Sequence, residues 1–438
     1  MKKWNMVLLV ILAVLLLSGC SIGAVTDLYC LPMRSEEFNN LQSVMNSAMV
    51  GLEYSAPLRG DNRQTVQQAD LNGDGEAEYL VFAKGTADKP LQILVFSGDG
   101  AEYTLMDVIE CAGSAFDRVE YVRVDYKPGY ELVVGCQVSD QVVRSASVYA
   151  MNGEQMEQLL TTSYSEILST DLDRNGRKEL MVLRPGTDTN GVAVLYSMEG
   201  SSMVRSQEVT MSEPVDNIMR LMQGNLQDGG PAVYVASAVT GSNGILTDVF
   251  TLIDGQLSNV SLSLESGTSV QTLRNYYVYA DDVDNDGVLE LPSLITMDTI
   301  GNTTPATEQY IIRWYSLNSD GTEETKKHTY HNFVGGWYLD LSGQYIERMT
   351  VQQKGSSYEF SLWNEDRTEA VKLMTVYVLT GQKREEQALA ENRFVLLRGE
   401  STIYAASLEV SSAEYSMTKE SLIASFHLIF EDWITGEI

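Results

Sequence analysis

The sequence predicts a mainly β protein, a β-propeller of about five to seven blades followed by a C-terminal α+β domain. Three observations predict this fold class. A nine-residue acidic motif recurs at intervals of about 50 residues, strand-like apolar runs and short turns follow each copy, and both features stop near residue 335. The expected divisions are a leader at 1–19, a lead-in segment at 20–59, the propeller at 60–335 and the α+β domain at 336–438.

The first residues have the layout of a secretory signal peptide. Lys2 and Lys3 precede an apolar stretch from Met6 to Leu17, which is shorter than the roughly 20 apolar residues of a transmembrane helix. The sequence Leu-Ser-Gly-Cys that ends at Cys20 resembles the lipobox of bacterial lipoproteins. This resemblance implies cleavage before Cys20 and a diacylglycerol group on its sulfur, so the expected location is the extracytoplasmic face of the cell membrane. A plain secretory signal is the alternative.

The acidic motif has three intact copies that align without gaps. They are Asp70–Glu78 (DLNGDGEAE), Asp171–Glu179 (DLDRNGRKE) and Asp282–Glu290 (DVDNDGVLE). Two reduced copies start at Asp125 and Asn225 and keep the turn residues and the following strand but lose most acids. The five starting points are separated by 55, 46, 54 and 57 residues, which indicates one repeated unit.

Each unit continues in the same order, with an apolar strand, a variable polar stretch and a hairpin with a glycine or asparagine in its turn. A unit of 40 to 60 residues with about four strands is typical of a β-propeller blade. A closing blade can take strands from both ends of the repeat region, so the number of blades stays open. A row of unrelated hairpins and a β-sandwich are the alternatives.

Two regions lie outside the repeats. Residues 35–49 have a composition compatible with a short lead-in helix. After residue 335, strand-like runs at 358–363, 371–379, 393–397 and 403–408 accompany helix candidates at 382–392 and 419–433. This combination predicts an α+β domain of about 100 residues.

The chain is strongly acidic, with 30 basic and 60 acidic residues and a net charge of −30. Such a surface repels nucleic acid and attracts divalent cations, so no nucleic-acid partner is expected. Beyond Cys20, the cysteines are Cys30, Cys111 and Cys136, an odd number that rules out a fully paired disulfide framework. A Cys111–Cys136 bridge and a pair of buried, inert thiols both remain open.

The motif has the oxygen donors that a hard cation needs. Calcium binds six to eight oxygens, and alternate residues of a tight loop can direct carboxylate or amide oxygens toward one point. Glycine at position six suits the sharp turn of such a loop. Position twelve falls inside the following strand and carries no glutamate, so these loops are not EF-hands.

An acidic loop that enters a strand in each repeat resembles the FG-GAP and VCBS repeats of integrin-α-like propellers. The resemblance covers roughly residues 60 to 330, although the family more often has aspartate than glutamate at position nine. It implies weak, structural calcium sites, held in each intact copy by the side chains at positions one, three, five and nine. These are Asp70, Asn72, Asp74 and Glu78; Asp171, Asp173, Asn175 and Glu179; and Asp282, Asp284, Asp286 and Glu290.

The copy with most aspartates, which starts at Asp282, is expected to bind calcium best. The alternative is that the loops are metal-free turns, in which the Asp and Asn side chains bond to their own backbone.

No catalytic residue is predicted, because the sequence contains no nucleophile elbow, phosphate loop or cysteine–histidine pair at a known spacing. His328 and His331 are expected on a solvated linker. The predicted function is a membrane-anchored, calcium-stabilised binding or interaction module for an envelope protein or a polysaccharide. A polysaccharide-active hydrolase or lyase and a structural subunit of an envelope assembly are the alternatives.

Overall fold

The computed structural model describes residues 36–98, 102–138, 144–300, 308–341, 343–390 and 392–429. The predicted signal peptide, Cys20 and Cys30 lie outside these ranges. Within them the chain is mainly β, with antiparallel sheets of four or five strands, and this level of the predicted fold class is confirmed. None of the described helices is long and apolar enough to cross a bilayer.

The first four sheets follow the chain in order. Their strands, sheet by sheet, are β1 (Glu53–Tyr54), β2 (Val66–Ala69), β3 (Glu78–Lys84), β4 (Leu91–Gly98) and β5 (Tyr103–Cys111); β6 (Ala115–Val122), β7 (Glu131–Gln137), β8 (Arg144–Asn152) and β9 (Gln155–Tyr164); β10 (Glu166–Thr170), β11 (Glu179–Arg184), β12 (Val192–Glu199) and β13 (Ser202–Thr210); and β14 (Val215–Asn225), β15 (Pro231–Val239), β16 (Ile245–Ile253) and β17 (Gln256–Asn259). In the second to fourth sheets the strands pair as simple meanders, and in the first both β1 and β2 pair with β3.

The last described strand, β27 (Phe426–Leu428), follows the sixth sheet along the chain but pairs in the fifth. Their strands are β18 (Leu291–Thr296), β19 (Tyr310–Leu317), β20 (Glu323–Asn332), β21 (Trp337–Leu341) and β27 (Phe426–Leu428) in the fifth sheet, and β22 (Met349–Lys354), β23 (Ser357–Trp363), β24 (Ala370–Thr380), β25 (Phe394–Arg398) and β26 (Thr402–Leu408) in the sixth. The expected boundary after residue 335 does not coincide with a break between sheets, because β21 pairs with β20 and β27 returns to pair with β21.

Buried side chains join each sheet to the next one along the chain. The first contact, for example, contains an edge-to-face pair between Phe82 and Phe116, whose ring centroids are 5.2 Å apart. Comparable apolar clusters lie between the following sheets up to the contact of the fifth with the sixth. Because strand residues alternate between the two faces, each internal sheet packs against its predecessor with one face and its successor with the other.

Helices cover the faces of the two terminal sheets. Helix α1 spans Glu36–Ala48, where the lead-in helix is predicted, and its Leu41 and Met45 pack on Phe96 of the first sheet. Helix α2 spans Arg384–Ala388, and its Ala388 packs on the outer face of the sixth sheet. No buried cluster of the described residues joins the first sheet to the fifth or sixth.

The second predicted C-terminal helix is shorter than expected. Helix α3 spans Lys419–Ser425 and starts with a capping box between Thr418 and Ser421. The prediction of a helix to residue 433 is wrong, because the chain becomes β27 at Phe426, whose ring stacks on Trp337 at 5.6 Å. The predicted helix at 382–392 likewise reduces to α2. The described residues also contain three short 3₁₀ helices, at Val270–Thr272, Gly343–Arg348 and Val410–Tyr415.

Cys111 and Cys136 are both buried in the core between the first two sheets, where they are free thiols and not a disulfide.

Candidate metal centre

The three intact motif loops share one backbone arrangement. The N–H of position six donates to the side chain of position one, that of position five to position three, and that of position seven to position five, at 2.7 to 3.2 Å. Glycine at position six has φ between +83° and +93° in all three copies, a conformation that disfavours any residue with a Cβ. The side chains at positions one, three and five therefore fix the backbone of each loop, and in Asp70 and Asp282 both carboxylate oxygens accept backbone N–H groups.

The glutamate at position nine is the buried member of each set. Glu78, Glu179 and Glu290 are between 0% and 5% exposed, and in each case Oε2 accepts the N–H of position two at 2.7 to 3.0 Å. Burial raises the pKa of these carboxyls, the backbone hydrogen bond opposes this, and the neighbouring motif aspartates raise it further. The pKa of both Glu179 and Glu290 is raised to about 7.

In the third sheet, Asp171, Asp173 and Glu179 each place one carboxylate oxygen within 4.8 Å of the others. Asp171 Oδ1 is buried without a hydrogen-bond partner in the described structure. Asn175 does not direct its oxygen to this point, because that oxygen accepts from Arg177 and its Nδ2 donates to Asp173 at 2.7 Å. This loop therefore brings together carboxylate oxygens from three of its four predicted ligands.

In the fifth sheet, Asp282, Asp284 and Glu290 form the second cluster, again with oxygens within 4.8 Å of one another. Glu290 Oε1 is buried and has no hydrogen-bond partner among the described residues. Asp286, the fourth predicted ligand, has its free oxygen 3.7 Å from the Lys326 ammonium group.

The loop of the first sheet is different at its centre. The Nδ2 of Asn72 donates to Asp74 and to Glu78 Oε1, both at 2.9 Å. Asp70 accepts two backbone N–H groups with its two oxygens. The amide nitrogen thus lies between the carboxylates, and these four predicted ligands do not form a carboxylate cluster of the kind seen in the third and fifth sheets.

The second sheet contains a glutamate that the sequence analysis missed. Glu131 is 4% exposed and accepts the N–H of Val124 at 2.7 Å, as position nine accepts position two in the intact loops. This copy therefore starts at Arg123, two residues before the predicted Asp125. The sequence contains a pattern that identifies this glutamate, because Glu131 precedes Leu-Val-Val as Glu179 precedes Leu-Met-Val. Arg123 and Lys127 then occupy positions one and five, where the intact loops carry acids or an amide.

Backbone hydrogen bonds connect the loops of consecutive sheets. At three of the four junctions between consecutive loops, the N–H of position eight in one loop donates to the carbonyl of position one in the preceding loop. This bond joins Tyr130 to Asp70 at 2.9 Å, Lys178 to Arg123 at 2.7 Å and Leu289 to Asn225 at 3.3 Å. The last bond also identifies Asn225 as position one of the reduced fourth copy.

The two histidines expected on a solvated linker lie inside β20 instead. His331 is 8% exposed and stacks on Tyr338 at 4.9 Å, and burial lowers its pKa to about 3. The prediction of a linker is therefore wrong, because β20 is an internal strand of the fifth sheet between β19 and β21. No histidine belongs to either carboxylate cluster.

The two clusters fit a hard cation by their chemistry. All converging atoms are carboxylate oxygens, and a buried carboxylate oxygen without a donor is unfavourable unless a cation or a proton satisfies it. The third-sheet cluster contains such an atom on Asp171, and the fifth-sheet cluster contains one on Glu290.

No known protein family matches the chain, and no curated protein matches it. Among solved structures, a Bacillus licheniformis rhamnogalacturonan lyase is 13% identical over 73% of this chain and 72% of its own, with a TM-score of 0.28. An exotype rhamnogalacturonan lyase is 12% identical over 74% and 72%, with a TM-score of 0.25, and another rhamnogalacturonan lyase is 12% identical over 73% and 72%, with a TM-score of 0.30. At this level of similarity, neither fold nor function is transferred from them.

Proposed function

We propose that this chain is a lipid-anchored, extracytoplasmic binding module whose repeat loops are stabilised by calcium. The observation that carries the proposal is the pair of carboxylate clusters, each with one buried oxygen that lacks a donor. A bound calcium ion offsets the repulsion among three carboxylates and satisfies that oxygen. Its role is structural, since the motif loops are hydrogen-bonded to those of neighbouring sheets.

Calcium suits these loops better than other common metals. The converging atoms are oxygens only, which disfavours zinc and copper, and the mixed burial of the ligands leaves room for water to complete a coordination of six to eight. We assign the ligands Asp171, Asp173 and Glu179 to one site and Asp282, Asp284 and Glu290 to the other. The Asp70 loop is a metal-free turn, in which the Asn72 amide donates hydrogen bonds to the carboxylates of Asp74 and Glu78.

For the architecture, we propose that the six consecutive sheets are the blades of a β-propeller, within the range of five to seven predicted from the repeats. In-sequence packing of four- and five-stranded antiparallel sheets supports this assignment. The first and sixth blades are covered by α1 and α2 rather than joined by a shared strand.

The anchor is the lipid on Cys20, which we propose from the Leu-Ser-Gly-Cys sequence alone. Helix α1 begins 16 residues later, at Glu36, and an extended chain of that length reaches at most about 55 Å. The partner class is an envelope protein or a polysaccharide. No feature of the described residues favours the enzyme or the assembly-subunit alternative over this binding role.

The test is thermal unfolding of a soluble form that starts at Ser21, from excess chelator to about 10 mM calcium, which is roughly ten times or more the Kd of weak extracellular sites. Binding to the folded state alone raises stability by about 1.4 kcal/mol at ten times Kd for each site. The variants Asp171→Asn and Asp282→Asn are each expected to reduce the shift in Tm, and together to abolish it. Asp70→Asn is the matched control, with an unchanged shift. A Tm that does not depend on calcium would refute the proposal.

A further inference from the structure

An aromatic cavity of about 190 Å³ lies at the end of the fifth sheet that is far from its motif loop. Strand β18 starts directly after this loop, at Leu291, which pairs with Tyr315 near the end of β19. The cavity is lined by Tyr310, which starts β19 and pairs with Thr296 at the other end of β18. The length of a strand therefore separates the cavity from the carboxylate cluster of the same sheet.

Three aromatic side chains contribute to the lining. The ring of Tyr276 stacks on that of Phe333, with centroids 4.4 Å apart, and meets the ring of Tyr310 edge to face at 6.0 Å. All three side chains are only partly buried. No described basic side chain makes a cation–π contact with these rings, although Arg313 makes one with Tyr315 on the same sheet. The three rings are therefore not occupied by a cation of the described chain.

A carboxylate lies beside these rings. Glu308 lines the cavity, and its Oε2 accepts a hydrogen bond from the hydroxyl of Tyr310. This hydrogen bond, together with burial, raises the pKa of Tyr310 to about 12. Burial and, after it, the charge of Glu308 raise the pKa of the Tyr276 hydroxyl, so the carboxylate is close to that ring as well.

The charge of Glu308 is not balanced within the described residues. No described lysine, arginine or histidine forms an ion pair with it, and its Oε1 has no hydrogen-bond partner among them. His331 is the one described lining residue with a basic side chain, and burial lowers its pKa to about 3, so it is neutral at physiological pH. The other polar lining groups are hydroxyls and amides, such as Gln309, whose Oε1 accepts from Tyr330 at 2.7 Å. The described lining thus carries one net negative charge.

An unpaired carboxylate next to partly exposed aromatic rings is suited to an organic cation. The quadrupole of an aromatic ring attracts a cation over its face within about 6 Å, and quaternary ammonium ligands are recognised by groups of such rings. An anion would be repelled by Glu308, and a neutral ligand would gain nothing from its charge. The volume also fits, because a cavity of about 150 Å³ is enough for a molecule of the size of benzene.

We propose that this cavity binds a small alkylammonium compound, with its cationic group between Glu308 and the three aromatic rings. This ligand goes beyond the proposed function, which names no small molecule. The site uses neither carboxylate cluster of the motif loops, so the calcium test and the test of this cavity can fail independently.

The test compares choline with 3,3-dimethylbutan-1-ol, in which a carbon atom replaces the nitrogen. The two probes have nearly the same shape and differ in charge. The protein that starts at Ser21 is titrated by isothermal calorimetry or followed by NMR shifts, in about 0.15 M salt to screen general attraction to the acidic surface. We expect choline to bind and the neutral probe to bind at least about tenfold more weakly. Equal affinities, or no binding of choline, would overturn the proposal without any variant.

The titration is done in calcium and in chelator, because an organic cation is also attracted to empty acidic loops. We expect the same affinity for choline in both conditions, since the cavity does not involve these loops. Choline binding that occurs only in chelator would place the cation at the motif loops and refute the assignment.

Variants locate the binding. Glu308→Gln keeps an acceptor for the Tyr310 hydroxyl and removes the charge, so choline should bind at least about tenfold more weakly. Glu199→Gln is the matched control, because it removes one charge at the exposed end of β12 and should leave the affinity unchanged. Phe333→Leu removes one ring and should weaken choline about fivefold but not the neutral probe. Unchanged choline affinity in Glu308→Gln would refute the assignment.

Equal Tm values of these variants and the parent protein without ligand would verify folding. If Glu308→Gln does not fold, Phe333→Leu provides the same test, because an unchanged affinity for choline in that variant would also place the binding elsewhere.

Discussion

The backbone N–H of Tyr130 donates to the carbonyl of Asp70 at 2.9 Å and thereby connects the motif loops of the first two sheets. Gly73 of the first loop lies directly against Pro128 of the second at this junction. The sequence pattern does not predict this contact, because it joins residues of two separate repeats.

Replacement of Gly73 by alanine should separate the first two sheets. The glycine has φ +77°, and a Cβ there would lie 2.2 Å from Pro128 Cβ. Gly153 is the matched control, because it has φ +64° but no atom within 4 Å of an added Cβ. We expect Gly153→Ala to lower the free energy of unfolding by about 1 kcal/mol and Gly73→Ala by at least about 2 kcal/mol more, measured by urea denaturation. Equal losses of unfolding free energy in the two variants would show that the positive φ, and not the contact with Pro128, causes the destabilisation.

Replacement of Asn72 by aspartate should create a third carboxylate cluster. The amide nitrogen of Asn72, which now donates to Asp74 and Glu78, would be replaced by an anionic oxygen. We expect a lower Tm in chelator, from repulsion among the acids, and one additional calcium ion per chain by isothermal calorimetry. Asn152→Asp in an exposed hairpin is the control and should not change the stoichiometry. An unchanged stoichiometry in Asn72→Asp would contradict the role given to position three.

Replacement of Glu290 by glutamine should remove one calcium site. The N–H of Val283 must still be accepted, so the amide oxygen takes that bond and the NH₂ group faces the loop centre, as in Asn72. We expect the calcium-induced rise in Tm to fall by roughly half, since one of two sites is lost. Glu131→Gln, which has the same backbone partner but no carboxylate cluster, should retain the full rise. Equal effects of the two variants would argue against a metal at Glu290.

Acid should destabilise the fifth sheet through His331. Burial lowers the pKa of this imidazole from 6.5 to about 3, so the unfolded chain binds more protons between these values. Its contribution to stability is therefore present above about pH 6.5 and is lost as the pH falls toward 3, with a slope of up to about 1.4 kcal/mol per pH unit. His331→Phe should flatten the decline of Tm over this range. The variant His427→Gln, which changes a half-buried histidine on β27, is the comparison and should retain the decline of the parent protein. A curve for His331→Phe that runs parallel to that of the parent protein would refute the assignment.

Much of the repeat organisation can be predicted from the sequence because it is local. The residues at positions one, three, five, six and nine are close in sequence, and strand alternation follows directly after them. The C-terminal strands at 357–408 also lie within one residue of their predicted ends. These features need only turn chemistry and the two-residue repeat of a strand.

The features that the sequence predicted incorrectly depend on contacts between residues that are distant in sequence. His331 is buried because Trp314 and Tyr338 on neighbouring strands cover it, although Lys326 and Lys327 make its own segment polar. Phe426 ends α3 because Trp337 and Tyr404 surround its ring. The second loop starts at Arg123 and not at the predicted Asp125, because its backbone bonds place Arg123 at position one.

The bond between position eight of one loop and position one of the next uses only main-chain atoms, in Tyr130 with Asp70 as in Lys178 with Arg123. Its strength is therefore nearly indifferent to which side chains the loops carry. The Arg123 copy lacks acids at positions one and five and still forms this bond on both sides, to Asp70 through Tyr130 and from Lys178 to Arg123. The attachment of one unit to the next at this junction thus does not require that either loop carry a metal-binding set of acids.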